Sequence, residues 1–177
     1  MIDFSRNYFE LFGLPQRFRF DPNVLDAAYR RLQSEVHPDR FASGTDQQKR
    51  LALQSSARIN EAYRALRNPV ERAQYLLSLH GIDALPETDT ALPIDFLERQ
   101  LERREAAADA VAAHDRDALA AVLRGVREES DALVTELVRV IDENAAYGDA
   151  RMHVRELKFL AKLVDDVEAL EAHLEDQ

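Results

Sequence analysis

Few residues in this chain could do chemistry, and their spacing limits what that chemistry would be. The five histidines, His37, His80, His114, His153 and His173, stand at least 20 residues apart, with no HExxH or ExxH pairing for a metal. There is no cysteine, which excludes disulfides, thiolate zinc sites, thiol nucleophiles and a cysteine-held iron–sulfur cluster. No GxGxxG and no Walker loop occurs. The 33 carboxylates fall at helix-surface spacing and read as a solvated face rather than a general acid–base pair. What remains is His37-Pro38-Asp39, an imidazole and a carboxylate held apart by a rigid ring. Pro and Asp favour a turn and a helix stop in any protein. At an exposed loop tip, however, the three residues form a preorganised recognition point rather than a catalytic one.

The elements that must position this tripeptide are all helical, because apolar residues recur at spacings of three and four almost throughout. A first short helix, Asn7 to Phe12, stops at Gly13-Leu14-Pro15. Asp21 is an N-cap with Pro22 at the first helical position, and the stripe Leu25, Ala28, Tyr29, Leu32, Val36 follows. Pro38 disfavours helical geometry at His37, so this helix ends near Val36. Thr45 and Gln48 form a capping box for a helix carrying Ala52, Ser56, Ile59, Ala62, Tyr63 and Leu66. Those two stripes face each other, which predicts an antiparallel hairpin with the tripeptide at its tip. Asn68-Pro69 starts a fourth helix that turns Ala73, Leu76 and Leu77 inward and closes at Gly81.

Residues 81–93 hold a Gly, two Pro and three acids without helical periodicity and are expected to be a linker between domains 1–80 and 94–177. Beyond it, runs of about Asp95–Ala113, Arg116–Ala145 and Asp149–Glu175 predict a three-helix bundle, the first opening with Asp95 and Glu98 in capping positions. Of 177 residues with a net charge of −10, the first 80 carry 12 Lys/Arg against 9 Asp/Glu, or +3; the rest carry −13. That asymmetry predicts two domains with different partners, and the overall charge argues against nucleic acid and anionic membranes as partners. Met1 to Asn7 shows no basic stretch followed by an apolar one, and no run approaches the ~20 apolar residues of a membrane span, so a cytoplasmic location is expected.

Residues 8–75 resemble a J domain, the DnaJ-type module that activates DnaK-like ATPase chaperones. The resemblance is carried by Tyr8-Phe9-Glu10-Leu11-Phe12-Gly13-Leu14, Ala28-Tyr29-Arg30-Arg31-Leu32, His37-Pro38-Asp39-Arg40, Ile59 to Leu66 and Arg72-Ala73-Gln74-Tyr75. Arg40 to Gly44 and Arg72 to Gly81 narrow it to the HscB family, J-type co-chaperones of iron–sulfur cluster assembly. Phe96-Leu97, Gln100-Leu101-Glu102 and Val154 to Leu160 extend it over nearly the whole chain.

The resemblance implies an all-α J domain joined to a C-terminal three-helix bundle, without enzymatic activity or a cofactor of its own. It implies that His37, Pro38 and Asp39 trigger ATP hydrolysis in an HscA/DnaK-like chaperone. Arg30, Arg31 and Arg40 would offer positive charge to an acidic patch there. It further implies that an IscU-like iron–sulfur scaffold binds the second domain through Leu97, Leu101 and Phe159, flanked by Glu102 and Glu105. Phe159 lies roughly 100° from Leu160 around its helix. That position is either rim packing, which burial alone favours, or the exposed anchor that the resemblance implies. Glu35 and Val36 stand where many J domains have a basic and an aromatic residue, and Glu98 where the family often has Met. A general J-domain co-chaperone with varied clients, or a helical adaptor in which the tripeptide is coincidental, are the other readings of these residues.

Overall fold

The computed structural model describes residues 2–41, 43–86 and 91–175. Ala42, the Pro38 side chain and residues 87–90 of the expected linker lie outside the described residues. The chain divides into two compact units, Met1–Leu79 and His80–Gln177, and among the described residues every regular element is a helix.

In the first unit α1 (Tyr8–Phe12) begins at a capping box: the Asn7 side chain accepts from the Glu10 N–H, and the Glu10 carboxylate accepts from the Asn7 N–H. It ends at Gly13, whose φ of 68° is the left-handed geometry that glycine tolerates best. α2 (Pro22–Val36) has Asp21 as its cap and Pro22 in its first turn. It stops where Pro38 requires, with His37 at φ −54° and ψ 129°. A 3-10 turn, Pro38–Phe41, leads toward α3 (Asp46–Arg67), which opens at the Thr45–Gln48 capping box. α4 (Pro69–Leu79) follows, its first turn capped by the Asn68 side chain. Along α3 the buried serine is Ser55, not the expected Ser56, which is half-buried and donates to Gln33.

α2 and α3 run antiparallel, as their cross-links show. Tyr63 donates to Asp26 at 3.0 Å, Tyr29 donates to Asn60 at 2.9 Å, and Ser56 donates to Gln33 at 3.1 Å. Partners move down one helix as they move up the other. The Tyr29 and Tyr63 rings stack at 4.1 Å. Phe9, Leu25, Ile59, Leu66 and Leu77 are wholly buried between these helices, and burying each such side chain stabilises by about 1.5–3 kcal/mol. Tyr8 fastens α1 to α4: its ring stacks on Tyr75 at 4.1 Å, and its N–H donates to the Tyr75 hydroxyl at 3.0 Å.

The second unit is a bundle of α5 (Ile94–Ala112), α6 (Arg116–Leu137), a π-helical segment (Val138–Glu143) and α7 (Ala150–Glu175). α5 departs from expectation at its start. Pro93 is the N-cap and no side chain caps the helix, while Asp95 pairs with Arg99 at 3.1 Å. The second run is not uniform α-helix either. After Leu137 the backbone opens to π geometry, and Leu137, Val138, Val140 and Ile141 are all buried. Two non-glycine residues close helices in the left-handed region, His114 at φ 53° and Ala145 at φ 52°.

Residues 81–86 and 91–93, expected to be linker, group with this second unit, as does His80, expected to end the first domain. Ala84 is buried, and the buried Arg155 of α7 donates to the carbonyls of Ala84 and Ala91 at 3.2 and 3.3 Å. A guanidinium thus ties down backbone that has no helix of its own, satisfying carbonyls that burial would leave unpaired.

Candidate functional sites

The tripeptide runs from the C-cap of α2, His37, into the first two residues of the 3-10 segment. The Asp39 N–H donates to His37 Nδ1 at 3.3 Å, and the Asp39 carboxylate lies 3.5 Å from the same nitrogen. The Asp39 side chain is 91% exposed. A carboxylate in that position contributes little to folding and is available to an external cation.

Arg30 and Arg31 are exposed on α2 and make no ion pair with a described residue. Arg40 differs from them. Its guanidinium donates to the Ser34 carbonyl at 3.2 Å, one of the carbonyls α2 leaves unpaired at its end. Arg40 therefore fixes the angle at which the tripeptide leaves the helix as well as adding charge beside it. Glu35 is exposed and Val36 is buried, so the departure at Val36 is a core residue rather than a lost surface aromatic.

In the second unit Leu97 and Leu101 are 41% and 58% exposed, one helical turn apart on α5. Glu102 and Glu105 are exposed on the same helix, as is Glu98. Phe159 is half-buried rather than the exposed anchor considered above. Its ring meets Phe96 edge to face at 5.6 Å, and the Arg104 guanidinium stands 5.6 Å over it. Phe96 and Arg104 belong to α5 turns on either side of Leu101, so Phe159 lies across the stretch that carries the two leucines. The arrangement is an apolar strip with an aromatic floor and an acidic flank.

Two members of this surface escape sequence reasoning. Ile94, 75% exposed, extends the leucine strip by one turn toward the helix start. Arg104 continues the spacing of Leu97 and Leu101 and is held by Asp166 at 3.6 Å, which Lys162 also pairs at 2.8 Å. The 94, 97, 101, 104 spacing is the only signal that could have pointed to either.

Behind the strip, Glu129 of α6 accepts from Gln100, Arg99 and Arg103 of α5. Burial alone would raise the Glu129 carboxyl, but the Gln100 and Arg103 hydrogen bonds and the neighbouring guanidinium charges outweigh it and hold its pKa below the ordinary value of 4.5. This network fixes the rotation of α5, and with it the direction in which its leucines face.

A family model of the DnaJ domain matches residues 7–75, and one of the HSCB C-terminal oligomerisation domain matches residues 92–168. A co-chaperone protein HscB homolog of Burkholderia cenocepacia is 45% identical over 175 residues, 99% of each chain. The structure of chaperone HscB from Vibrio cholerae superposes with a TM-score of 0.85 at 37% identity, covering 96% of this chain and 99% of that one. Human co-chaperone protein HscB gives a TM-score of 0.87 at 27% identity over 95% of this chain and 83% of that one. No helix among the described residues is long and apolar enough to cross a membrane. The J domain implies a DnaK-type chaperone as partner. With both domain types in order and near-complete coverage by its relatives, the chain belongs to the HscB family of co-chaperones.

Proposed function

We propose that residues 1–80 dock on an HscA-type chaperone and stimulate its ATP hydrolysis, while residues 94–177 hold an IscU-like iron–sulfur scaffold for delivery to it. His37, Pro38 and Asp39 are the trigger, with Asp39 offering its carboxylate to a chaperone arginine. Arg30 and Arg31 steer the approach to an acidic surface, which sets orientation and on-rate more than affinity. Arg40 adds charge and braces the turn. Leu97, Leu101 and Phe159 form the scaffold-binding strip, and Glu102 and Glu105 pair with its basic rim. The chain catalyses no reaction itself and needs no cofactor; ATP belongs to the chaperone and the cluster to the scaffold. Both partners, and this chain, would meet in the cytoplasm.

The observation that carries the reading is the Asp39 carboxylate, 91% exposed on a turn that Arg40 braces, at the end of the helix on which Arg30 and Arg31 pair with no described residue. Scaffold titration tests the second half. Leu97→Ala removes an exposed side chain and should weaken scaffold binding while leaving chaperone stimulation without scaffold as it was. Undiminished scaffold affinity would exclude the strip. Single-turnover ATP hydrolysis tests the first half: His37→Gln should lose stimulation, and retained stimulation would exclude the tripeptide as trigger.

A further inference from the structure

The first unit carries a groove of about 430 Å³ that none of the roles above uses. It is lined by Phe12, Gly13, Val24, Ala27, Ala28 and Arg31. Phe12 and Ala28 are buried and make its floor. Gly13 contributes no side chain, and a Cβ there would meet nothing within 4 Å. Val24, on the rim, is 49% exposed. A half-exposed branched side chain over an apolar floor loses little more by being covered, and covering it removes apolar surface from water.

The groove has a direction. Val24, Ala27, Arg31 and Ser34 follow one another at spacings of three and four, so they share one face of α2. From Val24 to Ser34 is about 15 Å along the helix. At the far end, the Ser34 carbonyl receives the Arg40 guanidinium that braces the tripeptide turn. A single exposed stripe therefore runs from the apolar groove, past Arg31, to the tripeptide. Of the acids on or capping α2, Asp26 is engaged by Tyr63 on the side facing α3 and Asp21 accepts from Asn23 at the helix start, while Glu35 is exposed one turn beyond Arg31. The charged residue lining the groove is Arg31, which pairs with no described residue.

We infer that the chaperone-docking surface continues along α2 into this groove, which takes an apolar side chain flanked by carboxylates on the DnaK-type chaperone. The inference rests on the docking reading above. An apolar partner residue fills the space over Phe12 and Ala28. A neighbouring carboxylate is required because Arg31, stripped of water by the contact, would otherwise leave its donors unsatisfied. The tripeptide then acts as trigger and the groove, with Arg31 at its edge, as grip.

The test uses the full chain with a purified HscA-type chaperone, reading single-turnover ATP hydrolysis across co-chaperone concentrations. Val24 is the third helical residue after Asp21, a position where an acid suits the helix start, so Val24→Glu should fold normally. It should raise the half-stimulating concentration about tenfold, with the full stimulated rate still reached at saturation. Val24→Leu should titrate like the parent chain. An unshifted titration of Val24→Glu overturns the groove. So does a concentration-dependent mass in the parent chain, seen by light scattering, that Val24→Glu abolishes, since a second copy would then be the occupant. His37→Gln, run alongside, separates the two readings. If it loses stimulation while Val24→Glu titrates normally, only the groove fails; if it keeps stimulation, the docking reading fails with it.

Discussion

At the tip of the α2–α3 hairpin the exposed groups are an imidazole, a carboxylate and Arg40, with Arg30 and Arg31 farther back along α2, whereas on α5 they are isoleucine and leucines with acids beside them. The means of support are reversed in the same way. The polar tip is held by stacked tyrosines and hydrogen bonds between uncharged or singly charged side chains. The apolar strip is held from behind by the Glu129 ion network. A trigger that must act briefly is suited to exposed charge, which steers and orients without binding tightly. A surface that must retain a client is suited to apolar burial, which contributes affinity roughly in proportion to area.

The largest expected effect that sharpens this contrast is on client affinity. Leu101→Ala should weaken scaffold binding by about 1.4–2.8 kcal/mol, a loss of roughly ten- to a hundredfold measured by calorimetry. Because Leu101 is exposed, its unfolding free energy should move by no more than about 0.5 kcal/mol. Phe159→Ala should fail on both counts, since Phe159 also packs against Phe96. Equal stability loss in the two variants would erase the distinction between strip and floor.

The two units should also give way at opposite ends of the pH scale. Burial, reinforced by Glu61, pushes the Tyr8 hydroxyl up to about 12. A folded pKa raised above the unfolded value of 10.0 means stability that is fully present below 10 and lost as pH climbs toward 12. Tyr8→Phe should therefore flatten the alkaline fall in the urea midpoint. Glu129 has the other sign: its folded pKa lies below 4.5, so its contribution is present above that value and lost as pH falls beneath it. The stability difference between the parent chain and Glu129→Gln should shrink as pH drops from about 6 to about 3. A constant difference across that range would show that the network does not titrate with folding.

The smallest effect concerns the joints. His114 sits in the left-handed region, where a side chain costs about 1 kcal/mol relative to glycine. The Asp115 N–H donates back to Ala110 and the His114 N–H to Val111, the pattern in which glycine is the usual residue. His114→Gly should stabilise the second unit by about 0.5–1 kcal/mol in chemical denaturation. Destabilisation instead would mean that the imidazole makes a contact that offsets the strain.

How well each part could be read from sequence follows from what determines it. The hairpin was legible because its limits are set by local chemistry: Asp21-Pro22, Thr45 with Gln48, and Pro38 act on their own neighbours whatever surrounds them. The start of α5 was misread because Asp95 and Glu98 fit a capping pattern, and only the packed structure turns Asp95 to Arg99. The π segment was not legible, because helical periodicity does not distinguish a stretched turn from a continuous one; only the backbone hydrogen bonding does. The task of Arg155 at the Ala84 and Ala91 carbonyls was not legible, because it depends on backbone 71 and 64 residues away. On the candidate sites, the tripeptide and Leu97 with Leu101 were read from motif and spacing. Ile94 and Arg104 were missed although their spacing from Leu97 and Leu101 hinted at them, and Val24 because an isolated exposed residue carries no pattern until its neighbours are placed.

The central claim is that one exposed carboxylate, Asp39, makes this chain an activator. Single-turnover ATP hydrolysis by an HscA-type chaperone tests it with Asp39→Asn, a change that keeps the shape of the side chain and removes its charge. The account predicts hydrolysis at the chaperone's unstimulated rate at every concentration of the variant, with scaffold affinity equal to that of the parent chain. Stimulation by Asp39→Asn to the parent level would contradict it.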